Sequence, residues 1–530
     1  MHRRRTGVIA SLGLLAAGAL AWHLDGVPLQ ARERQTGAIA RTARTRVSAT
    51  SDSAQDSAQT APDQLQQTPN PSMRHLAIDA AALSAAAKQH LGYLPGRVLV
   101  KFREGVTTER KTAVVRTVQG ARIASSSPRT GVDIVSIPTA MLPADAAAAY
   151  QTQTDVVEYA EPDHIRHVAF TPNDPDYSKQ WNFPAIGMDK AWDINPGATT
   201  SFIVAVLDTG VAFEDENFSF GRNDGAGHIL TIDVPFKAAP DLTRANRFVT
   251  PHDFIYDDDN PVDLDGHGTH VSGTIGQLTN NGVGLAGMAF NVRLMPVKIC
   301  ATAWDVIFAD NEVTDDLDLS ICPDSLMAEG IRYAADNGAK VINLSIGGDE
   351  PTEATVQAAL NYAVGKGVFI AIAAGNEFED GNPTVYPAAL ANNIDGVMSV
   401  AAVGRTLQRA FYSSSGSFVE IAAPGGDTRA SGFSGAIYQQ TLDDTFFQTN
   451  LIRPRFDIFI EAPFQGTSMA TPHVSALAAL LMTQGITSPA AVEAAIKQSA
   501  RDLGATGRDN DFGFGLIQPT AALRGLGIAR

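Results

Sequence analysis

The chain has 530 residues, 44% of them hydrophobic and 18% charged, with a formal net charge of −17 and 2 cysteines. The apolar content excludes a globally disordered chain. The acidity argues against a general nucleic-acid binder, and two thiols cannot make a disulfide scaffold or a four-thiolate zinc site. The charge is uneven: residues 1–170 carry a net +5 and residues 171–530 a net −22.

The N-terminus has the parts of a secretory signal. His2-Arg3-Arg4-Arg5 is basic, Gly7 to Leu20 is apolar, and Ala19-Leu20-Ala21 offers a small-x-small cleavage site. Its apolar run is short for a membrane span of about 20 residues. Residues 1–21 are therefore expected to be a signal peptide. Residues 22–90 are rich in Ala, Thr, Ser, Gln and Pro and are expected to be a disordered linker with a short Ala-rich helix over Ile78 to His90.

Residues 91–169 change texture. A strand is predicted at Arg97 to Phe102 and a helix at Thr107 to Gln119, with Thr107 or Thr108 as cap. Strands follow at Ala121 to Ser125 and Gly131 to Pro138, then a helix at Pro143 to Gln153 and a strand from Val156 to Val168. The order β-α-β-β-α-β predicts a small α+β ferredoxin-like domain.

Residues 170–530 alternate unbroken apolar runs with helical stretches. The runs are Phe202 to Leu207, Val341 to Ser345 and Val368 to Ala374; the helices include Leu326 to Asn337 and Thr352 to Val364. Strands without alternation are buried on both faces, which predicts an α/β fold with a mainly parallel sheet between helical layers. In such sheets chemistry gathers at the carboxyl ends of the strands.

Asp208-Thr209-Gly210 follows the first run, Ser345-Ile346-Gly347-Gly348 closes the second, and Gly375-Asn376 follows the third. Elsewhere stand His267-Gly268-Thr269-His270 and Gly466-Thr467-Ser468-Met469-Ala470-Thr471-Pro472. A serine opening a helix feels its positive end, with Pro472 expected in the tolerant first turn. An imidazole titrates near neutrality and suits proton transfer. A strand-end carboxylate needs a partner, which an imidazole N–H supplies. Each residue alone also fits a cap or turn role; the three segments together resemble the subtilisin-like serine peptidases, the subtilases. The order Asp, His, Ser and the lack of G-x-S-x-G exclude an α/β-hydrolase esterase.

That resemblance implies Ser468 as nucleophile, His267 as base, Asp208 as its orienting acid, and Asn376 with the Ser468 N–H as oxyanion hole. Ser345, Ile346, Gly347 and Gly348 resemble the strand that pairs with a peptide substrate. His270 reads as structural. Glu377 to Asp380 would favour Lys or Arg at P1 if an acid faced the pocket; the plainer reading is a solvated loop. The resemblance further implies a propeptide that acts as chaperone and inhibitor, cleaved near His167 to Thr171. Leu278 to Leu285 resembles a calcium loop. Asp174 and Asn281 with the carbonyls of Leu278, Val283 and Leu285 would be ligands, and Asn217 stands where relatives have another acid.

The acidic run Asp253 to Asp265 does not fit an EF-hand and reads as a solvated loop. Cys300 and Cys322 are expected to pair in an exported protein. The reading is thus a secreted, monomeric serine endopeptidase acting on proteins and peptides. It is made as an autoprocessed pre-pro-enzyme, with structural Ca²⁺, no organic cofactor, no nucleic-acid partner, and no membrane contact after signal cleavage. The competing reading is a catalytically silent binding protein on the same fold. The insertions near 218–262 and 426–460 carry no assignment from sequence.

Overall fold

The computed structural model describes residues 80–525 except 89–90, 166–169, 224–227, 244–246, 311–318, 352–353 and 449–452. Met1–Ala80 and Ala81–Arg530 are separate units, and all the described strands lie in the second. The expected signal segment, nearly all of the linker and part of the expected cleavage stretch lie outside the described residues. Among the described residues no helix is long and apolar enough to cross a membrane.

A helix spans Ala80–Lys88. Four strands then form one antiparallel sheet: β1 (Tyr93–Phe102), β2 (Arg122–Ser126), β3 (Val132–Ser136) and β4 (Val157–His164), in the order β2-β3-β1-β4. Helices Thr108–Val115 and Pro143–Gln151 connect β1 to β2 and β3 to β4. Thr107 is the cap, its side chain accepting the Arg110 N–H. β1 begins before the predicted Arg97. A register shift between Tyr93 and Val98 lets Pro95 and Gly96 stay in the strand. Val98, Val100, Val135, Ala146 and Tyr150 close a small core of their own.

The larger part is built on seven parallel strands. They are β5 (Ile203–Asp208), β8 (His252–Asp253), β9 (Arg293–Lys298), β12 (Val341–Leu344), β13 (Phe369–Ala373), β14 (Val397–Val403) and β15 (Ile421–Pro424). Across the sheet they run in the order β15-β14-β13-β12-β5-β9-β8. β12, β13 and β14 are buried at every position, the polar Asn343 and Ser399 included, as strands covered on both faces must be. Helices His267–Gly276 and Thr467–Thr483 pack together and onto the sheet; so do Asp324–Asp336 and Ala354–Gly365.

The two unassigned insertions meet. The hairpin of β6 (Glu216–Asn223) and β7 (Ile229–Phe236) brings Phe236 against Phe456, ring centroids 5.2 Å apart. Phe456 lies between β16 (Ile437–Leu442) and β17 (Phe459–Phe464), a second antiparallel hairpin. Trp304 and Phe308, from the helix Ala303–Asp310, join them in a second apolar core with Leu264, Phe447 and Ala212. A disulfide, Cys300–Cys322, closes the segment that carries this helix, and the short strands β10 (Ala301–Thr302) and β11 (Ser320–Ile321) pair across it.

Candidate active site

β5, β12 and β13 are neighbours, so their carboxyl ends bring Asp208, Ser345 and Asn376 to one edge of the sheet. Asp208 is the last residue of β5 and is buried. His267 opens its helix as predicted, and His267 Nδ1 lies 2.7 Å from Asp208 Oδ1. The same carboxylate oxygen accepts the Thr209 N–H at 2.8 Å. Gly268 permits this approach: a Cβ there would meet the Gly210 carbonyl at 2.1 Å and Asp208 Oδ1 at 3.2 Å.

Burial works against a charged His267, and the facing Asp208 carboxylate, with Asp265 and Asp263 behind it, outweighs this and pushes the imidazole up to about 9. The acidic run before His267 is thus not the solvated loop expected from sequence. Asp257, Asp258 and Asp259 are exposed, but Asp253 and Asp263 are fully buried. Asp263 accepts the Thr209 hydroxyl, the Thr269 N–H and hydroxyl, and the N–H groups of Asp265 and Gly266. Asp265 accepts the His267 N–H at 3.0 Å. Its own carboxyl is pushed up to about 6 by burial and by Asp263. The run is amphipathic in three dimensions: its exposed acids face solvent, while Asp263 is held by backbone N–H groups and two threonine hydroxyls that a sequence does not display.

Ser468 is the second residue of the helix Thr467–Thr483. The helix starts earlier than the apolar run from Met469, so Pro472 lies beyond the first turn and inside the helix. That corrects the expected position of Pro472; Gly466 and Thr467 belong to the cap and first turn although neither is strongly apolar. Ser468 Oγ donates to the Ser345 carbonyl at 3.2 Å. Asn376 is anchored by Thr467, whose N–H and hydroxyl both donate to Asn376 Oδ1, at 2.9 and 3.0 Å. That leaves the Asn376 Nδ2 hydrogens for another acceptor. The point where Gly466 would carry a Cβ lies 3.6 Å from Ser468 N and 3.7 Å from Asn376 Nδ2, so both donors border one small volume. Thr467 was not legible as a site residue; its only sequence signal is its place beside Ser468.

Ser345 and Ile346 follow β12, and Gly348 pairs with Tyr386 in an antiparallel bridge. A Cβ on Gly347 would meet the Val385 side chain at 2.7 Å, whereas one on Gly348 would meet nothing within 4 Å. His270 is buried against the β16–β17 hairpin, 3.2 Å from the carbonyls of Ile437 and Ala462. Burial pushes it down to about 3, so it stays neutral. In the loop after Asn376, Glu379 holds Arg429 through both carboxylate oxygens. Glu377 turns back onto the Asn376 N–H and the Ser414 hydroxyl.

Asp174 is buried at the 278–285 loop and accepts the N–H groups of Asn280 and Asn281. Asn217 is not the second acid there; it lies on β6 opposite Pro235. Asp241 is, its carboxylate meeting Asn281 Nδ2 at 2.8 Å and Gln277 Nε2 at 3.1 Å. Asp241 stands 40 residues before Asn281 in the chain, so local motif spacing does not connect the two. Burial raises the Asp241 carboxyl, and the nearby Asp174 charge raises it further. The Val283 N–H donates to Asn281 Oδ1, the Leu278 N–H to the Asp241 carbonyl, and the Leu285 carbonyl accepts from Gln277. Two buried acids thus stand beside the Asn281 amide and near the Leu285 carbonyl, and among the described residues no cluster of three His, Cys, Asp or Glu side chains is present.

A family model described as the subtilase family matches residues 199–515, and one described as the fervidolysin N-terminal prodomain matches residues 79–163. The chain is 32% identical over 422 residues to a thermophilic serine proteinase of Bacillus sp. (strain AK1), covering 79% of this chain and 86% of that protein. It is 33% identical over 340 residues to thermitase of Thermoactinomyces vulgaris, covering 64% of this chain and 94% of that protein. A solved protease structure from Pseudoalteromonas arctica PAMC 21717 superposes with a TM-score of 0.51 at 28% identity, covering 67% of this chain and 99% of the other. The chain therefore belongs to the subtilase family of peptidases and carries an N-terminal prodomain of the fervidolysin kind.

Proposed function

We propose that the protein is a secreted serine endopeptidase, exported by residues 1–21, that cuts its own chain near residue 170 to release residues 170–530. The observation that carries this reading is the Asp208–His267 hydrogen bond of 2.7 Å in a site where Ser468 N and Asn376 Nδ2 border one volume. Asp208 holds the Nδ1 proton of His267, which leaves Nε2 to take the Ser468 proton. Ser468 Oγ must first leave the Ser345 carbonyl. It then attacks the peptide carbonyl, and the oxygen gains negative charge between the Asn376 amide and the Ser468 N–H. His267 gives the proton to the leaving amine. Water, deprotonated by the same imidazole, releases the acyl group. Ser345 to Gly348 would pair with the substrate backbone, and the open side of Gly348 gives a substrate room.

The antiparallel order β2-β3-β1-β4 with two connecting helices supports a ferredoxin-like prodomain, acting as inhibitor and folding aid. Asp174, Asp241, Asn281 and the carbonyls of Leu278, Val283 and Leu285 would hold Ca²⁺, which would neutralise the two buried acids and tie the loop to the chain around Asp174. The mature enzyme would act as a monomer. The test is incubation of the purified pro-form beside its Ser468→Ala variant. Processing near residue 170 and casein hydrolysis are expected only in the unmutated protein; equal processing in both excludes autocatalysis.

A further inference from the structure

Pro472 creates a vacancy in the catalytic helix. A helical residue normally donates its N–H to the carbonyl four residues earlier, which here is that of Ser468. Proline has no N–H, so this carbonyl, on the residue that carries the nucleophile, loses its intrahelical donor. The Ser345 hydroxyl fills the vacancy, its Oγ lying 2.8 Å from the Ser468 carbonyl oxygen. Ser345 comes from the end of β12, so the bond ties helix to sheet at the reacting residue.

The hydroxyl is itself held. Asn343 Nδ2 is 3.0 Å from Ser345 Oγ, and Ser475 Oγ is 2.8 Å from Asn343 Oδ1. Asn343 and Ser475 have no exposed surface, and Ser345 is 5% exposed. The direction of every bond follows from the chain's end. A backbone carbonyl only accepts, so Ser345 must give it its one proton. Ser345 then accepts from the Asn343 amide, whose oxygen is left to accept from Ser475. A buried chain with one permitted polarity fixes its members in one rotamer each. Ser475 lies two turns along the same helix as Ser468, so the chain leaves that helix, crosses β12 and returns to it.

We propose that Ser345 is a positioning residue for Ser468, its hydroxyl supplying the hydrogen bond that Pro472 withholds, with Asn343 and Ser475 holding that hydroxyl from behind. This rests on the reading of Ser468 as nucleophile. The substitution Ser345→Ala leaves the Ser345 backbone available to substrate, so it acts on the helix and not on the pairing strand. It leaves the Ser468 carbonyl without its donor and the first turn free to shift.

The test is a double-mutant cycle on the processed enzyme with a chromogenic peptide. kcat is counted per active site labelled by a fluorophosphonate, which separates misfolded protein from slow protein. Ser345→Ala is expected to lower kcat roughly tenfold, the size of one lost hydrogen bond to a buried carbonyl, with KM changed less than about twofold. Ser345→Thr should keep most of the rate. In the Pro472→Ala background, where residue 472 regains its N–H, the loss caused by Ser345→Ala should shrink to about twofold. An equal loss in both backgrounds, or no loss in the Pro472 enzyme, overturns the proposal. If Ser345→Ala does not fold, Ser475→Ala takes its place, with a smaller loss that Pro472→Ala also relieves. Hydrolysis by Ser468→Ala, together with no fluorophosphonate labelling of the unmutated enzyme, would instead refute the underlying reading.

Discussion

Lys298 Nζ lies 3.0 Å from Asp305 Oδ2 and 2.8 Å from the Thr209 carbonyl, with the lysine side chain wholly buried. Lys298 ends β9 and is paired in register with Asp208, so a buried cation stands one strand from the acid that holds His267. Its counter-charge comes from the helix Ala303–Asp310, inside the segment closed by Cys300–Cys322. Burial lowers the lysine's affinity for its proton, and the carboxylates of Asp305 and Asp253 more than restore it.

Breaking this pair strands a charge in the interior. Asp305→Ala should cost about 3–5 kcal/mol of folding stability, whereas Lys298→Met with Asp305→Leu should recover most of it. Urea unfolding of the three proteins checks both halves. A small loss in Asp305→Ala would mean that Asp253 alone balances the lysine.

Reduction should act on the same segment. Cys300 and Cys322 are separated by 22 residues in sequence, and opening such a loop costs about 3 kcal/mol in the chain-entropy view. Thermal unfolding with and without a reductant, at a pH where the thiols do not reoxidise, should show a clear drop in Tm. No change would mean that the aromatic core around Trp304 and Phe456 holds the insertion without the crosslink.

The pH profile should be alkaline. The base is the neutral imidazole, and His267 is pushed up to about 9, so kcat/KM should still be rising between pH 7 and 9. Asp265→Asn removes a carboxylate that favours imidazolium, and the rising limb should move to lower pH. Asp265 itself, pushed up to about 6, is ionised throughout that window, so the comparison is clean. A limb that does not move would show that Asp208 and Asp263 set the basicity without Asp265.

Calcium should stabilise through Asp241. A chelator should lower the Tm of the unmutated enzyme, and much less that of Asp241→Ala. At 100-fold excess over its dissociation constant an ion adds about 2.7 kcal/mol. Equal sensitivity in both proteins would move the ion elsewhere.

Sequence alone determined the local features. Unbroken apolar runs identified β5, β12 and β13, because a strand covered on both faces has no polar side to display. The runs pointed to the residues after them, Asp208, Ser345 and Asn376, and the resemblance carried by those segments together with His267 and Ser468 made them site candidates. Of the two cap candidates, Thr107 is the one the structure uses, and the expected pairing of the only two cysteines is present. Tertiary structure alone decided which distant groups satisfy one another. Asp241 meets Asn281 although 40 residues separate them in the chain; Asp263 is buried among the hydroxyls of Thr209 and Thr269 and the N–H groups around it. The two insertions meet through Phe236 and Phe456 and the apolar core around them. The hydrogen bond missing at Pro472 is visible in the sequence as a proline, but its replacement by Ser345 is not. Periodicity reports how a segment meets its immediate surroundings. The partner of a buried polar atom is set by the packing of elements far apart in the chain, and no local pattern encodes it.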